Sequence, residues 1–210
     1  MGSRRTLARA LEAVEDFDEP SVDLEQYLTS PELAAHLCHF ARLQGDLEER
    51  TVVDLGTGTG MLAIGASVAE PERVVGVEVD GDALAVARRN ERRVLRRRVV
   101  DWIRADVSRP PLGVTDATVI SNPPFGAQRG RRHADRRFLE TARDLGAVSY
   151  TVHNEGSRSF VESFAADEGG EVTHAFAGEI PVDRRFDFHE AERTDLPVEV
   201  YRIEWSMGSE

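Results

Sequence analysis

The sequence predicts an α/β protein built on an open sheet, and three observations carry that reading. Short β-branched runs recur along the chain and alternate with segments of helical periodicity. A glycine-rich turn, Gly56-Thr57-Gly58-Thr59-Gly60, follows the first such run, Thr51 to Leu55. A second turn, Ser121-Asn122-Pro123-Pro124-Phe125, follows the later run Ala117 to Ile120. In open α/β sheets ligands sit just beyond the carboxyl ends of the strands, so both turns are candidate ligand loops.

A chain of 210 residues is long enough to bury a core without disulfides or metals, and one domain spanning 1–210 is expected. It has no apolar run approaching the roughly 18 residues of a membrane span, and residues 1–9 lack the apolar centre of a secretion signal. A cytoplasmic protein is expected. The lone Cys38 has no internal partner and reads as a core residue, and no metal cluster is expected. The net charge is -12, and all 26 basic residues are Arg. Strong acidity without Lys suits a halophilic setting, where repulsion is screened over a Debye length of roughly 3 Å near 1 M salt. An acidic protein from a GC-rich genome is the alternative. Overall acidity also means that any nucleic-acid contact must come from local Arg clusters.

Thr6 to Phe17 carries Leu7, Ala10, Leu11 and Val14 at helical spacing and reads as an amphipathic helix ending before Glu19-Pro20. Leu24-Glu25-Gln26-Tyr27-Leu28-Thr29 has neither helical nor strand periodicity. It combines hydrogen-bonding side chains with a ring, so it is either a connector or a loop that closes over a ligand. Ser30-Pro31 is an N-cap followed by an N1 proline and opens a helix to about Leu43.

Thr51 to Leu55 is the first strand, and the glycine turn leads into a helix over Met61 to Val68. A glycine pattern alone is a weak signal, since dinucleotide-binding folds carry related ones. Asp54, placed before the glycines, would repel a pyrophosphate and attract a cationic methionine moiety, which favours S-adenosylmethionine over NAD. The second strand, Arg73 to Glu78, ends in an acid 24 residues after Asp54, the spacing of a ribose clamp. Asp80 is expected to cap the helix that begins near Asp82. Val99 to Ala105 is a third strand. Beyond it, Asp106-Val107 either reads an adenine edge or forms a turn with Ser108.

At the second turn, Asn122 offers a side-chain acceptor, Pro123 a backbone carbonyl, Pro124 a rigid continuation and Phe125 a stacking face. Two acceptors beside a ring suit a planar substrate that carries an NH2 group. A helix over Asp135 to Asp144, a strand over Gly146 to Val152 and a helix over Ser157 to Asp167 follow, with Phe160 and Phe164 expected in the core. Glu171 to Ile180 and Val198 to Trp205 read as an antiparallel pair joined by a long connection, Pro181 to Pro197. One Arg cluster, Arg88 to Arg98, is expected to form surface ion pairs. The other, Arg129, Arg131, Arg132, Arg136 and Arg137, is a candidate phosphate grip beside the proposed reacting site.

The order of these motifs resembles the class I methyltransferases, and more closely the methyltransferase-like-five family of ribosomal RNA adenine-N6 methyltransferases, over nearly the full chain. The resemblance rests on Leu24-Glu25-Gln26-Tyr27 with Thr29, Asp54-Leu55-Gly56-x-Gly58-x-Gly60, Asp106-Val107, Asn122-Pro123-Pro124-Phe125-Gly126, and Arg185-Phe186-x-Phe188-His189 followed by Val198-Glu199-Val200. It implies a Rossmann-like seven-stranded sheet with helices on both faces and a reversed C-terminal strand, preceded by a helical cofactor-covering extension over 1–45. It implies S-adenosylmethionine held by Gln26, Tyr27, Thr29, Asp54, Gly56, Gly58, Thr59, Gly60, Met61, Glu78, Asp106 and Val107. It further implies catalysis by Asn122, Pro123, Pro124 and Phe125 on an adenine of small-subunit rRNA gripped by Arg129, Arg131, Arg132, Phe188 and His189. The expected partner is a small zinc-containing activator of the Trm112 type, paired at the edge strand bearing Val100 and Trp102. Two features depart from the pattern: Glu78 stands where Asp is more usual, and Glu190-Ala191-Glu192 is acidic where relatives tend to be basic. A protein-glutamine methyltransferase acting on a release factor, and a cofactor-binding scaffold without turnover, are the alternatives.

Overall fold

A computed structural model of the chain describes residues 3–21, 23–124, 134–183 and 193–206. The elements run α1 (Arg4–Leu11), α2 (Pro31–Leu43), β1 (Thr51–Leu55), α3 (Met61–Ser67), β2 (Arg73–Glu78), α4 (Gly81–Leu95), β3 (Val100–Arg104), β4 (Ala117–Ser121), α5 (Ala134–Leu145), β5 (Gly146–Asn154), α6 (Arg158–Asp167), β6 (Gly170–Asp183) and β7 (Arg193–Trp205). They form one seven-stranded sheet in the order β3-β2-β1-β4-β5-β7-β6. Strands β1 to β5 are parallel, and β7 runs antiparallel to both of its neighbours. The expected reversed strand is present.

Central strands are apolar on both sides because both faces of the sheet are covered. Val52 packs with α2 and α3 through Leu37, Ala63 and Ile64, while its neighbour Val53 packs on the opposite face with Ala142 and Leu145 of α5. A third cluster joins Leu139 of α5 and Val161 and Phe164 of α6 to Tyr201, Ile203 and Trp205 of β7, so Phe164 is the core residue its spacing predicts. Cys38 is likewise buried, and burial pushes its thiol pKa up. The parallel register aligns Leu55, Val77 and Ser121 at the carboxyl edge, which brings the glycine turn, the Glu78 turn and the Asn122 turn to one side of the sheet.

Three expectations are corrected. The first helix stops at Leu11, not Phe17. Past it, the Glu15 backbone is captured by the buried Asn90 of α4, which accepts from the Glu15 N–H at 2.9 Å and donates to the Glu15 carbonyl at 2.9 Å. A tertiary partner here wins over helical propensity. The long connection Pro181 to Pro197 is strand at both of its ends, because β6 runs to Asp183 and β7 begins at Arg193, and the residues between lie outside the described ones. Both prolines are tolerated at the margins of the ladders: Pro181 lies on the sheet's edge strand, and Pro197 lies one residue past the β5–β7 pairing, where its carbonyl accepts from the Glu155 N–H at 3.1 Å.

The third correction concerns Trp102. Strand β3 is an edge as expected, but the ring of Trp102 already lies against the fold. A Cβ built on Gly76 would fall 2.6 Å from that ring, so the glycine makes room for it. The indole N–H donates to Glu91 at 3.0 Å, and Val100 is buried. The chain thus covers Val100 and part of Trp102 itself.

Candidate active site

The edge where β1, β2 and β4 end opens into a cleft of about 490 Å³. Its lining joins most of the sequence-predicted residues: Gln26, Tyr27, Thr29, Asp54, Gly56, Gly58, Thr59, Met61, Glu78, Asp106, Val107, Asn122 and Pro124. Pro123 is buried between Asn122 and Pro124. Gly60 stands behind the cleft, where its φ of +88° turns the chain into α3 and a Cβ would meet Trp102 at 2.8 Å. Phe125, Arg129, Arg131, Arg132, Phe188 and His189 lie outside the described residues.

Several lining residues escaped the sequence reading, among them Phe17, Val79 and Phe138. Phe17 and Phe138 stand over the glycine turn: a Cβ on Gly58 would lie 2.9 Å from Phe17, and one on Gly56 would lie 2.8 Å from Phe138. Both glycines also hold φ near +60°, where side chains are strained. The turn is thus shaped for close approach by two rings that come from distant parts of the chain.

The segment preceding α2 is fastened across the cleft at several points. The Gln26 side chain accepts from the Ser21 N–H at 2.7 Å and donates to Asp80 at 2.8 Å. The other Asp80 oxygen accepts from Asp82 N–H, the expected helix cap. Ser30 caps α2 through Leu33 N–H and donates to the Glu179 carbonyl of β6. Further back, Arg89 pairs with Asp18 and Arg93 with Glu15, while Arg97 pairs with Glu70. The first Arg cluster therefore supplies ion pairs, two of which hold the N-terminal segment. In the second cluster, Arg136 pairs with Glu140 and only Arg137, among the described members, lines the cleft.

The cleft's charge is concentrated on buried acids. Asp54 Oδ2 accepts from the Thr57 hydroxyl at 2.5 Å and the Ala63 N–H at 2.9 Å, whereas Oδ1 is buried without a hydrogen-bond partner. Burial pushes its pKa from 3.8 up to about 7, and the neighbouring Glu78 charge adds to the rise. Glu78 accepts from the N–H groups of Gly58, Val79 and Asp80. Burial raises its pKa as well, against the opposing pull of those three bonds. Asp106 accepts from the Ser108 N–H and hydroxyl, which holds its carboxyl below the usual range, so the turn-forming reading is correct and the residue still borders the cleft.

At the far wall the Asn122 amide donates from Nδ2 to Thr29 Oγ1 at 2.9 Å. Its Oδ1 is buried with no partner. A buried acceptor left open costs on the order of 1 to 3 kcal/mol, so the two in this cleft are candidate positions for a ligand's donors. Paired buried carboxylates at the glycine turn call for a cation, and the narrow turn suits a flexible chain. S-adenosylmethionine fits both demands, with Asp54 and Glu78 as the residues that would hold its charged and ribose ends. A pyrophosphate would face two carboxylates and is disfavoured.

Comparison with known proteins agrees. The methyltransferase small domain family matches residues 35–147. The rRNA N(6)-adenosine-methyltransferase Mettl5 of Drosophila melanogaster is 34% identical over 98% of this chain and 97% of its own length. The METTL5 enzyme of Danio rerio is 32% identical over 95% and 97%. Among solved structures, PH1948 of Pyrococcus horikoshii superposes with a TM-score of 0.89 at 36% identity, covering 99% of this chain and 100% of its own. The fold, the S-adenosylmethionine-shaped cleft and the full-length likeness lead to one conclusion: the chain belongs to the METTL5 family of class I, S-adenosylmethionine-dependent methyltransferases.

Proposed function

We propose that this protein methylates the exocyclic N6 nitrogen of an adenosine in small-subunit ribosomal RNA. The observation that carries the reading is the unpaired, buried Asn122 Oδ1 at the substrate wall of the cleft. An adenine amino nitrogen is a poor nucleophile because its lone pair is delocalised into the ring. Hydrogen bonds from its two N–H groups to Asn122 Oδ1 and the Pro123 carbonyl favour a pyramidal nitrogen and localise that lone pair. Pro123 and Pro124 hold the acceptors rigidly, and Phe125 stacks on the base. S-adenosylmethionine supplies an electrophilic methyl group. Asp54 and Glu78 bind its charged and ribose ends, while Gln26, Tyr27 and Thr29, in the extension over 1–45, cover it. Arg129, Arg131, Arg132, Phe188 and His189 grip the RNA.

In this reading Asn122→Ala leaves cofactor affinity within about threefold and slows single-turnover methylation by an amount equivalent to about 2 to 4 kcal/mol, the usual cost of losing one transition-state hydrogen-bonding group. A near-normal rate on unmethylated rRNA transcripts would refute the role.

We also infer a heterodimer with a small Trm112-type activator that adds a strand to β3. The support is that β3 is an edge strand with no further strand beside it among the described residues, although Glu91 already accepts from the Val99 and Val100 N–H groups at its start. Co-expression should raise yield and activity. A fully active monomer indifferent to the activator would contradict it. Among the described residues no helix is long and apolar enough to cross a membrane. A cytoplasmic site of action follows from the rRNA substrate, and the Lys-free acidity supports a halophilic source.

A further inference from the structure

We propose that Thr29 is a positioning residue for catalysis, accepting from the Asn122 amide nitrogen so that the amide oxygen is left to meet the substrate amine. The proposal rests on the reading of Asn122 as the amine acceptor and adds a residue that touches neither reacting atom. The Asn122 amide has two ends of opposite polarity, and only the oxygen can accept from a substrate N–H. When Oδ1 turns to the substrate, Nδ2 must point the other way, into a buried wall. What it meets there is Thr29 Oγ1 at 2.9 Å. Thr29 is itself buried. Without that oxygen, the productive orientation would strand an NH2 group away from water.

The placement of Thr29 is fixed by its neighbours. Ser30 is tied to Glu179 and to the first turn of α2, and Gln26 is tied to Asp80 at the start of α4. These ties hold the hydroxyl in place against Asn122.

The test compares Thr29→Val, which keeps the shape and removes the acceptor, with Thr29→Ser, which keeps it. Single-turnover methylation of unmethylated rRNA transcripts is measured alongside cofactor affinity by calorimetry and solvent exchange of the Asn122 side-chain NH2 by NMR. Thr29→Val should slow the chemical step roughly 10- to 100-fold, the equivalent of one stranded buried polar group. It should slow the chemical step by more than it weakens cofactor Kd and should speed exchange of the Asn122 NH2. Thr29→Ser should restore rate and slow exchange. Equal losses in both variants, a change confined to cofactor Kd, or an unchanged rate in Thr29→Val would each overturn the proposal. Asn122→Ala in the same assay separates the layers: if it is inactive while Thr29→Val is normal, only the positioning role fails, and if it is active the acceptor reading itself fails.

Discussion

Removing the charge of Asp54 should abolish a pH dependence of cofactor binding that the wild-type cleft builds in. Asp54 is fully buried, lies beside Glu78 and has its pKa pushed up to about 7. The cofactor's ammonium demands the ionised form, so binding below pH 7 must first expel a proton. With a pKa of about 7, apparent affinity should weaken roughly eightfold between pH 7.5 and pH 6, about 1.2 kcal/mol. That window keeps the cofactor's α-amino group, with a free pKa of roughly 7.7 to 8, mostly protonated. Asp54→Asn preserves the shape and should bind more weakly but with a flat profile. The sign for stability runs the other way. A carboxyl whose pKa is higher in the folded state than in the unfolded chain makes folding less favourable as it ionises. The cofactor-free protein should therefore lose stability as pH rises from about 4 through about 7, by no more than about 4 kcal/mol from this residue. The difference between wild type and Asp54→Asn across a pH series of melts and calorimetric titrations isolates the effect. A wild-type Kd independent of pH over that window, or the same slope in the Asn variant, would refute the reasoning.

Other residues give sharper structural tests. Glu78→Ala removes a carboxylate that accepts three backbone N–H groups and shapes the glycine turn, so cofactor Kd should rise roughly 10- to 100-fold by calorimetry, the cost of losing charge-assisted bonds. Unchanged affinity would remove it from the clamp. Asn90→Leu strands the Glu15 backbone and the Thr59 carbonyl, each now served by the Asn90 amide. Stability should fall by on the order of 2 to 3 kcal/mol, and cofactor affinity should fall with it as the N-terminal segment loosens. A melting temperature within about 1 °C of wild type would show that Asn90 does not fasten that segment.

Elements set by local chemistry were legible in the sequence. Ser30-Pro31 opens α2 where an N-cap and an N1 proline belong, Asp80 caps α4, and the β-branched runs became buried parallel strands at the expected places. The cleft residues on strand ends, Asp54, Glu78 and Asn122, were equally plain, because strand polarity alone puts them at one edge. What sequence could not supply was decided by distant contacts. The end of α1 is set by Asn90, some 75 positions away, and Phe17 reaches the glycine turn only because that segment leaves the helix. The cover over Trp102 was hidden because it depends on an absence, the missing side chain of Gly76 on the neighbouring strand. The long hairpin was masked by two prolines, which argue against strand unless their places at the margins of the ladders are known.

The central claim is that Asn122 presents an acceptor to an adenine amine of rRNA. Its most direct measurement is mass spectrometry of rRNA nucleosides and release-factor peptides from cells lacking this gene, complemented with wild type or Asn122→Ala. The account predicts that N6-methyladenosine disappears from small-subunit rRNA, returns with wild type and stays absent with Asn122→Ala, while release-factor glutamine methylation is unaffected. Intact rRNA methylation with loss of the methylated glutamine would contradict it.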